Sequence, residues 1–356
     1  MKNTHSPVCG PMGFSIDSLG FQYTRQCNLA CDHCCVESSP AVKGKLAQDI
    51  VADRIDEAAR LGIGTIGFTG GEPMLFSDEI VWLVEKVCHN KQKAVLVTNA
   101  SWATSARITA EVVCSLKKAG LDQMDISYDE FHKKAGARIE WVGWAVSECR
   151  RQDIRVRVRR QRHTVQTKAG IEVAKEILRL RCNDKVGVLY PYGRAREKLP
   201  KGKTRYCVSP LRKVPMCDEI GKLLYMWDGA LVPCCNGVYS IKDGQNGALD
   251  NLAMGNIYEH SLEESIERFR RNLFLAVLGT CGPGGFIILS RDNGNSISWP
   301  KEVECACEFC IWAANDERFQ RWFRTLEKDH YAILQRLEKF RDVLDRWGLS
   351  RCTVLQ

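Results

Sequence analysis

The sequence predicts an α/β fold, and three observations carry that prediction. Short β-rich runs alternate with amphipathic helical stretches from about Gly20 to Tyr190. The alternation then stops, and residues 191–310 become rich in Gly, Pro and Cys. An apolar but strongly charged helical pattern returns from Asn315 to Trp347. Strands alternating with helices imply right-handed βαβ units and a parallel sheet, open or curled into a partial barrel. The middle region is expected to form a smaller unit that leans on metal ligation rather than on a large core.

The predicted strands are Phe21–Thr24, Thr65–Thr69, Ala94–Thr98, Gln123–Ser127, Ile154–Val158 and Lys185–Leu189. Helical periodicity falls at Asp49–Leu61, Glu79–Cys88, Ala106–Ala119, Ile139–Arg151 and Ile171–Leu180. In the fifth strand Ile154, Val156 and Val158 alternate with Arg155, Arg157 and Arg159, which puts aliphatics on one face and arginines on the other. That cationic face is either solvated or turned into a cavity that takes carboxylates. The spaced Phe319, Trp322, Phe323 and Leu326 are expected to be core residues of a C-terminal helical segment packed on the barrel. Chemistry is expected in the loops at the C-terminal ends of the strands.

Composition narrows the function. The 356 residues are 45% hydrophobic and 26% charged, as in an ordinary globular protein. The net charge of +8 is a mild excess that suits an anionic substrate, a cofactor or an acidic peptide. No nucleic-acid motif and no apolar run of roughly 18 residues occurs, so neither nucleic acid nor a membrane is an expected partner. Met1–Leu19 hold no apolar core of signal-peptide length, which makes the cytoplasm the expected location. Disulfides are rare there, so the 18 cysteines point to metal or redox chemistry.

Cys27, Cys31 and Cys34 are spaced C-x3-C-x2-C directly after the first strand. With His33 or Cys35 as a fourth ligand they would suit zinc. As three thiolates they suit a [4Fe–4S] cluster with one open iron, since such clusters are normally held by four cysteines. Gly70, Gly71, Glu72 and Pro73 spell G-G-E-P after the second strand. Together these segments resemble the radical S-adenosylmethionine (SAM) superfamily. The resemblance implies a partial (β/α)6 barrel over residues 21–200, after an N-terminal segment of residues 1–20. It also implies an open iron that binds the amino and carboxylate groups of SAM, and reductive cleavage of SAM to methionine and a 5′-deoxyadenosyl radical. G-G-E-P is then expected at the methionyl amino group. A glycine pair permits close backbone approach, and a carboxylate accepts hydrogen bonds from an ammonium. Asn99 and Ser127 at strand ends, Arg157 or Arg159 on the fifth strand, and Tyr190–Gly193 after the sixth are further expected cofactor contacts.

Cys217, eleven residues, Gly229, four residues and Cys234 resemble the opening of the auxiliary-cluster domains called SPASM and twitch, and Cys307 and Cys310 supply the C-x2-C tail. The resemblance implies a second [4Fe–4S] cluster on these four cysteines in a domain of residues 201–312, followed by a C-terminal helix over 313–356. Zinc on the same residues is the alternative, and Cys207, Cys281 and Cys305 leave room for a third cluster.

Further stretches are similar to radical SAM epimerases of ribosomally made peptides: C-D-H-C-C from Cys31, S-S-P from Ser38, F-T-G-G-E from Phe68, T-N-A-S-W from Thr98, I-S-Y-D-E-F-H from Ile126, R-N-L-F-L-A-V-L from Arg271 and P-C-C from Pro233. Residues 279–303 depart from that pattern. The similarity implies that the deoxyadenosyl radical removes a Cα hydrogen and that Cys235 returns one from the opposite face. A flavodoxin or ferredoxin is the expected reductant. The competing expectations are oxidative thioether or carbon–carbon crosslinking of a peptide, modification of a small sugar or nucleoside, and an iron–sulfur electron carrier or sensor. Cys35 is expected to pack in the interior.

Overall fold

The computed structural model describes residues 15–163, 167–189, 193–199, 209–214, 216–217, 219–234, 252–292, 297–303 and 306–346. The expectations placed on Tyr190, Pro191, Tyr192, Cys207, Cys235 and Cys305 fall outside the described residues. The first half alternates as expected: β1 (Ser18–Thr24), α1 (Gln48–Arg60), β2 (Thr65–Gly70), α2 (Ser77–His89), β3 (Lys93–Thr98), α3 (Ala106–Ala119), β4 (Gln123–Ser127), α4 (Glu130–Lys134), α5 (Ile139–Arg151), β5 (Arg155–Arg162), α6 (Lys168–Arg179) and β6 (Asn183–Val188). Local chemistry sets the bounds. In α3 the Ser105 side chain accepts from Ile108 N–H, and the helix stops at Gly120, whose φ of 96° suits a residue without Cβ.

β1 to β6 pair in sequence order, all parallel. Helix-facing residues such as Phe68, Leu96, Met124, Ile126 and Val158 are fully buried. Met124 Sδ lies 3.7 Å from Cys149 Sγ of α5. Arg157 and Arg159 share the opposite face with Asp125 and Ser127, so the arginines line the inner side of the curled sheet.

After α7 (Arg194–Lys198) and β7 (Ser209–Pro210), β8 (Lys222–Tyr225), β9 (Ala230–Val232) and β10 (Gly255–Asn256) continue the same sheet beyond β1. β8 runs parallel to β1, and β9 returns antiparallel to it. Gly20 permits the β1–β8 contact, since a Cβ there would sit 2.7 Å from Leu224 Cδ1. Gly229, at φ 93°, closes the hairpin against Asn256 and Tyr258. Next come α8 (Leu262–Arg270), α9 (Leu273–Cys281), α10 (Pro283–Asp292), β11 (Glu302–Val303, paired with β7), α11 (Ala306–Asn315), α12 (Glu317–Leu326) and α13 (His330–Arg346).

Two expectations need correction here. Residues 191–310 carry the helices α8, α9 and α10 as well as strands, so the region is not supported by metal ligation alone. The C-terminal helix packs on α9, with Phe319 and Phe323 joining Phe274, Phe286 and Phe309 in an aromatic core away from the barrel strands. Those aromatics are core residues, as expected.

Candidate functional site

The loop after β1 carries the first three cysteines to the C-terminal mouth of the sheet. Cys27 and Cys31 are buried and Cys34 is half-buried, whereas Cys35 is exposed rather than packed. None of the four is in a disulfide. Burial pushes the Cys27 thiol up to about 12 and raises that of Cys31 as well. Buried thiols of this kind become thiolates when a cation compensates them, which is the donor set that iron needs.

The loop is braced from several directions. Arg194 Nη1 donates to Cys31 O at 2.7 Å and Nη2 to Ser38 O at 2.8 Å. Gly193, just ahead of α7, sits where a Cβ would be 2.3 Å from Cys35 O. Arg25 stacks over Trp227 in the β8–β9 turn, with its guanidinium 5.4 Å from the ring centroid.

His33 faces Asp129. Its Nε2 lies 3.1 Å from Asp129 Oδ2, and His132 Nδ1 lies 2.7 Å from Oδ1. Among the described residues this trio alone brings three ligand atoms within 4.8 Å of one another. Asp129 also accepts from the backbone N–H groups of Phe131, His132 and Gln161. Five donors saturate the carboxylate, so the trio is a hydrogen-bonded clamp that ties the cysteine loop to β4 and β5. Burial alone raises the Asp129 carboxyl, but His132 and His33 outweigh it and hold the group well below the usual range.

G-G-E-P sits beside this loop. Gly71 N–H donates to Thr24 O at 2.7 Å and Glu72 N–H to Gln26 O at 2.9 Å. A Cβ would lie 2.4 Å from Thr24 O at Gly70 and 2.1 Å from Gln26 O at Gly71, so both positions require glycine. Pro73 follows at the start of a short 3₁₀ turn, Pro73–Phe76. Glu72 differs from expectation. At 1% exposed, its carboxylate accepts from Met74 N, Thr98 Oγ1 and Asn99 N at 2.7–3.1 Å. It braces β2 to the end of β3 and does not present itself to an ammonium. Burial raises its carboxyl to about 7 against these hydrogen bonds.

Asn99 is buried too. Its Oδ1 accepts from Ser101 N–H at 2.9 Å, and its Nδ2 faces Asn28 Oδ1 at 2.9 Å and Cys27 Sγ at 3.6 Å. Ser127 ends β4 level with Arg159. Arg157 grips Asp125 through two bonds of 2.6 and 2.7 Å, whereas Arg159 stands 3.6 Å from it and is 40% exposed. Arg159 is thus the arginine with reach to spare for a carboxylate, and Arg157 is structural.

The second set converges as expected. Cys217, Cys234, Cys307 and Cys310 line one cavity together with Glu219, Ile220, Pro233, Leu252, Leu275 and Leu278. Four thiols in an apolar wall suit a fully ligated iron–sulfur cluster. Cys234 follows β9, and Pro233 O accepts from Gly221 N–H at the start of β8. The cavity therefore lies toward the N-terminal end of β1, opposite the first loop. The I-S-Y-D-E-F-H and C-D-H-C-C stretches contain Asp129, His132 and His33, but the sequence reading assigned them neither the clamp nor the short helix α4 that Asp129 caps.

Residues 21–187 match the family model of the radical SAM superfamily. YydG of Bacillus subtilis (strain 168), named as a peptide biosynthesis protein, is 22% identical over 85% of this chain and 94% of its own. GTP 3′,8-cyclase of Synechococcus sp. (strain CC9605) is 33% identical, but over 38% of this chain and 40% of that one. Among solved structures, that of a tagged anSMEcpe with bound AdoMet covers 85% of this chain and 98% of its own, at 14% identity and a TM-score of 0.48.

Proposed function

With residues 21–187 a radical SAM domain, we propose that the protein inverts a Cα centre in a ribosomally made peptide. Bound at Cys27, Cys31 and Cys34, a [4Fe–4S] cluster supplies the electron that cleaves SAM to methionine and a 5′-deoxyadenosyl radical. Gly70, Gly71, Ser127 and Arg159 hold SAM at the mouth of the sheet, with Arg159 placed for its carboxylate. The Cα hydrogen leaves with 5′-deoxyadenosine. Cys235 then transfers its S–H hydrogen to the opposite face of Cα, leaving a thiyl sulfur. A flavodoxin- or ferredoxin-class reductant in a reducing cytoplasm supplies two electrons per turnover, one returned to the cluster and one that, with a proton from solvent, restores the thiol.

The observation that carries this reading is the two-ended arrangement. The first thiol loop follows the C-terminal end of β1, and the four-thiol cavity that Cys234 lines lies toward its N-terminal end. Six steps of strand separate those ends by about 20 Å. Inversion needs removal and return of hydrogen from opposite faces, and two thiol sets at opposite ends of one strand are compatible with such a division. The likeness to YydG over nearly the whole of both chains favours a peptide substrate.

The test is anaerobic turnover with SAM in D2O of the peptide encoded beside this gene, followed by mass spectrometry. One deuterium gained per inverted residue is expected. Loss of two hydrogens would replace epimerisation by oxidative crosslinking. In Cys235→Ala, deoxyadenosine formation should persist while inversion disappears.

A further inference from the structure

We propose that Asn99 is a hydrogen-bond donor to the Cys27 sulfur that sets the reduction potential of the first cluster, and not a contact for SAM. The inference rests on the cluster reading above but concerns a different property of the same loop. Every side-chain polar atom of Asn99 is committed. Oδ1 accepts from Ser101 N–H at 2.9 Å, which fixes the amide orientation and leaves Nδ2 on the other side. One Nδ2 hydrogen is placed for Asn28 Oδ1 at 2.9 Å and the other for Cys27 Sγ at 3.6 Å. The backbone is committed as well, since Asn99 N–H donates to Glu72 at 2.7 Å. With 5% of its surface exposed, the residue has no polar side-chain atom left to offer a cofactor.

The surrounding residues hold that geometry. Glu72 binds Thr98 Oγ1 and Asn99 N–H together, and Trp102 Nε1 donates to Thr98 Oγ1 at 3.0 Å. The T-N-A-S-W stretch is thus a single network whose outlet is the Asn99 amide against sulfur. The other donors to cysteine sulfur among the described residues of this loop are backbone groups: Leu29 N–H to Cys27 at 3.4 Å and Ser38 N–H to Cys34 at 3.3 Å. Asn99 is the side chain in this set, and so the donor that substitution can remove, together with its bond to Asn28 Oδ1.

Hydrogen bonds to cluster-bound sulfur stabilise the more negative, reduced state and raise the potential. Removing the Asn99 donor should therefore make the cluster harder to reduce. Asn99→Ala loses both the donor and the turn to Ser101. Asn99→Ser keeps an acceptor for Ser101 N–H but is too short to reach Cys27.

The experiment is a dithionite redox titration of the reconstituted full-length protein and both variants. It follows the EPR signal that SAM perturbs, with iron content and SAM affinity measured in parallel. A shift to more negative potential in both variants, with iron content and SAM affinity unchanged, is expected. An unchanged potential with weakened SAM affinity would return Asn99 to the cofactor. A shift in Asn99→Ala alone would assign the effect to the turn, and loss of iron in both would make the residue scaffold; each overturns the proposal. A wild-type protein that takes up no iron, or whose signal ignores SAM, would instead remove the cluster reading itself.

Discussion

Glu72 shows how a motif residue acquires a role that its neighbours in sequence do not reveal. Its spacing after Gly70 and Gly71 suggests a carboxylate held out to a ligand, but β2–β3 pairing turns it inward onto Thr98 and Asn99. Burial raises its carboxyl from 4.5 to about 7, so between those values the folded chain keeps a proton that the unfolded chain has lost. The fold therefore loses stability as pH climbs through that window, by roughly 3 kcal/mol if the shift is fully expressed. In the iron-free protein Glu72→Gln should remove that slope at a fixed cost in stability. Thermal melts of the two proteins that change in parallel between pH 4.5 and 7 would refute the assignment. The contacts that Asn99 and His33 make, unlike the residues themselves, were opaque in the sequence for the same reason. Their partners, Cys27 and Asp129, lie 72 and 96 residues away and meet them through strand order alone.

Among the elements, the β2 end and the loop after β1 approach too closely for a side chain at Gly71. At Gly71 a Cβ would be 2.1 Å from Gln26 O, while at Gly64, just before β2, it would meet nothing within 4 Å. Gly71→Ala should therefore displace the cysteine loop and cut iron uptake, and Gly64→Ala should leave it intact; iron per chain after reconstitution distinguishes them. The strand Gln123–Ser127 and the helix Ala106–Ala119 were legible to the residue, whereas the alternating Ile154–Val158 was placed but not bounded, since the strand runs Arg155–Arg162. The helices between Leu262 and Asp292 were not legible. In Leu273–Cys281 every residue but the last is buried, so no polar face marks a helical period. The four-thiol cavity was legible because Gly229 and the C-x2-C tail are local signals, whereas the helices that carry its apolar wall are not.

For the molecule as a whole, the second thiol set should be dispensable for SAM cleavage but not for turnover. Cys310→Ser is expected to halve the iron content and to retain deoxyadenosine formation while peptide modification fails. Iron content equal to wild type would show that these four thiols hold no cluster. The continuous hydrogen-bond ladder from β10 to β6 gives this division of labour a metric. Because β8 pairs directly with β1, the gap between the two thiol sets is measured by a ruler with fixed graduations. Sliding β8 by one residue would move one end by about 3.3 Å, but would also turn its core side chains to the wrong face. Only two-residue steps preserve the packing. The gap can therefore change in jumps of about 7 Å and cannot be adjusted gradually. An enzyme of this design that takes a bulkier substrate must make room in the loops, because its sheet has no intermediate setting.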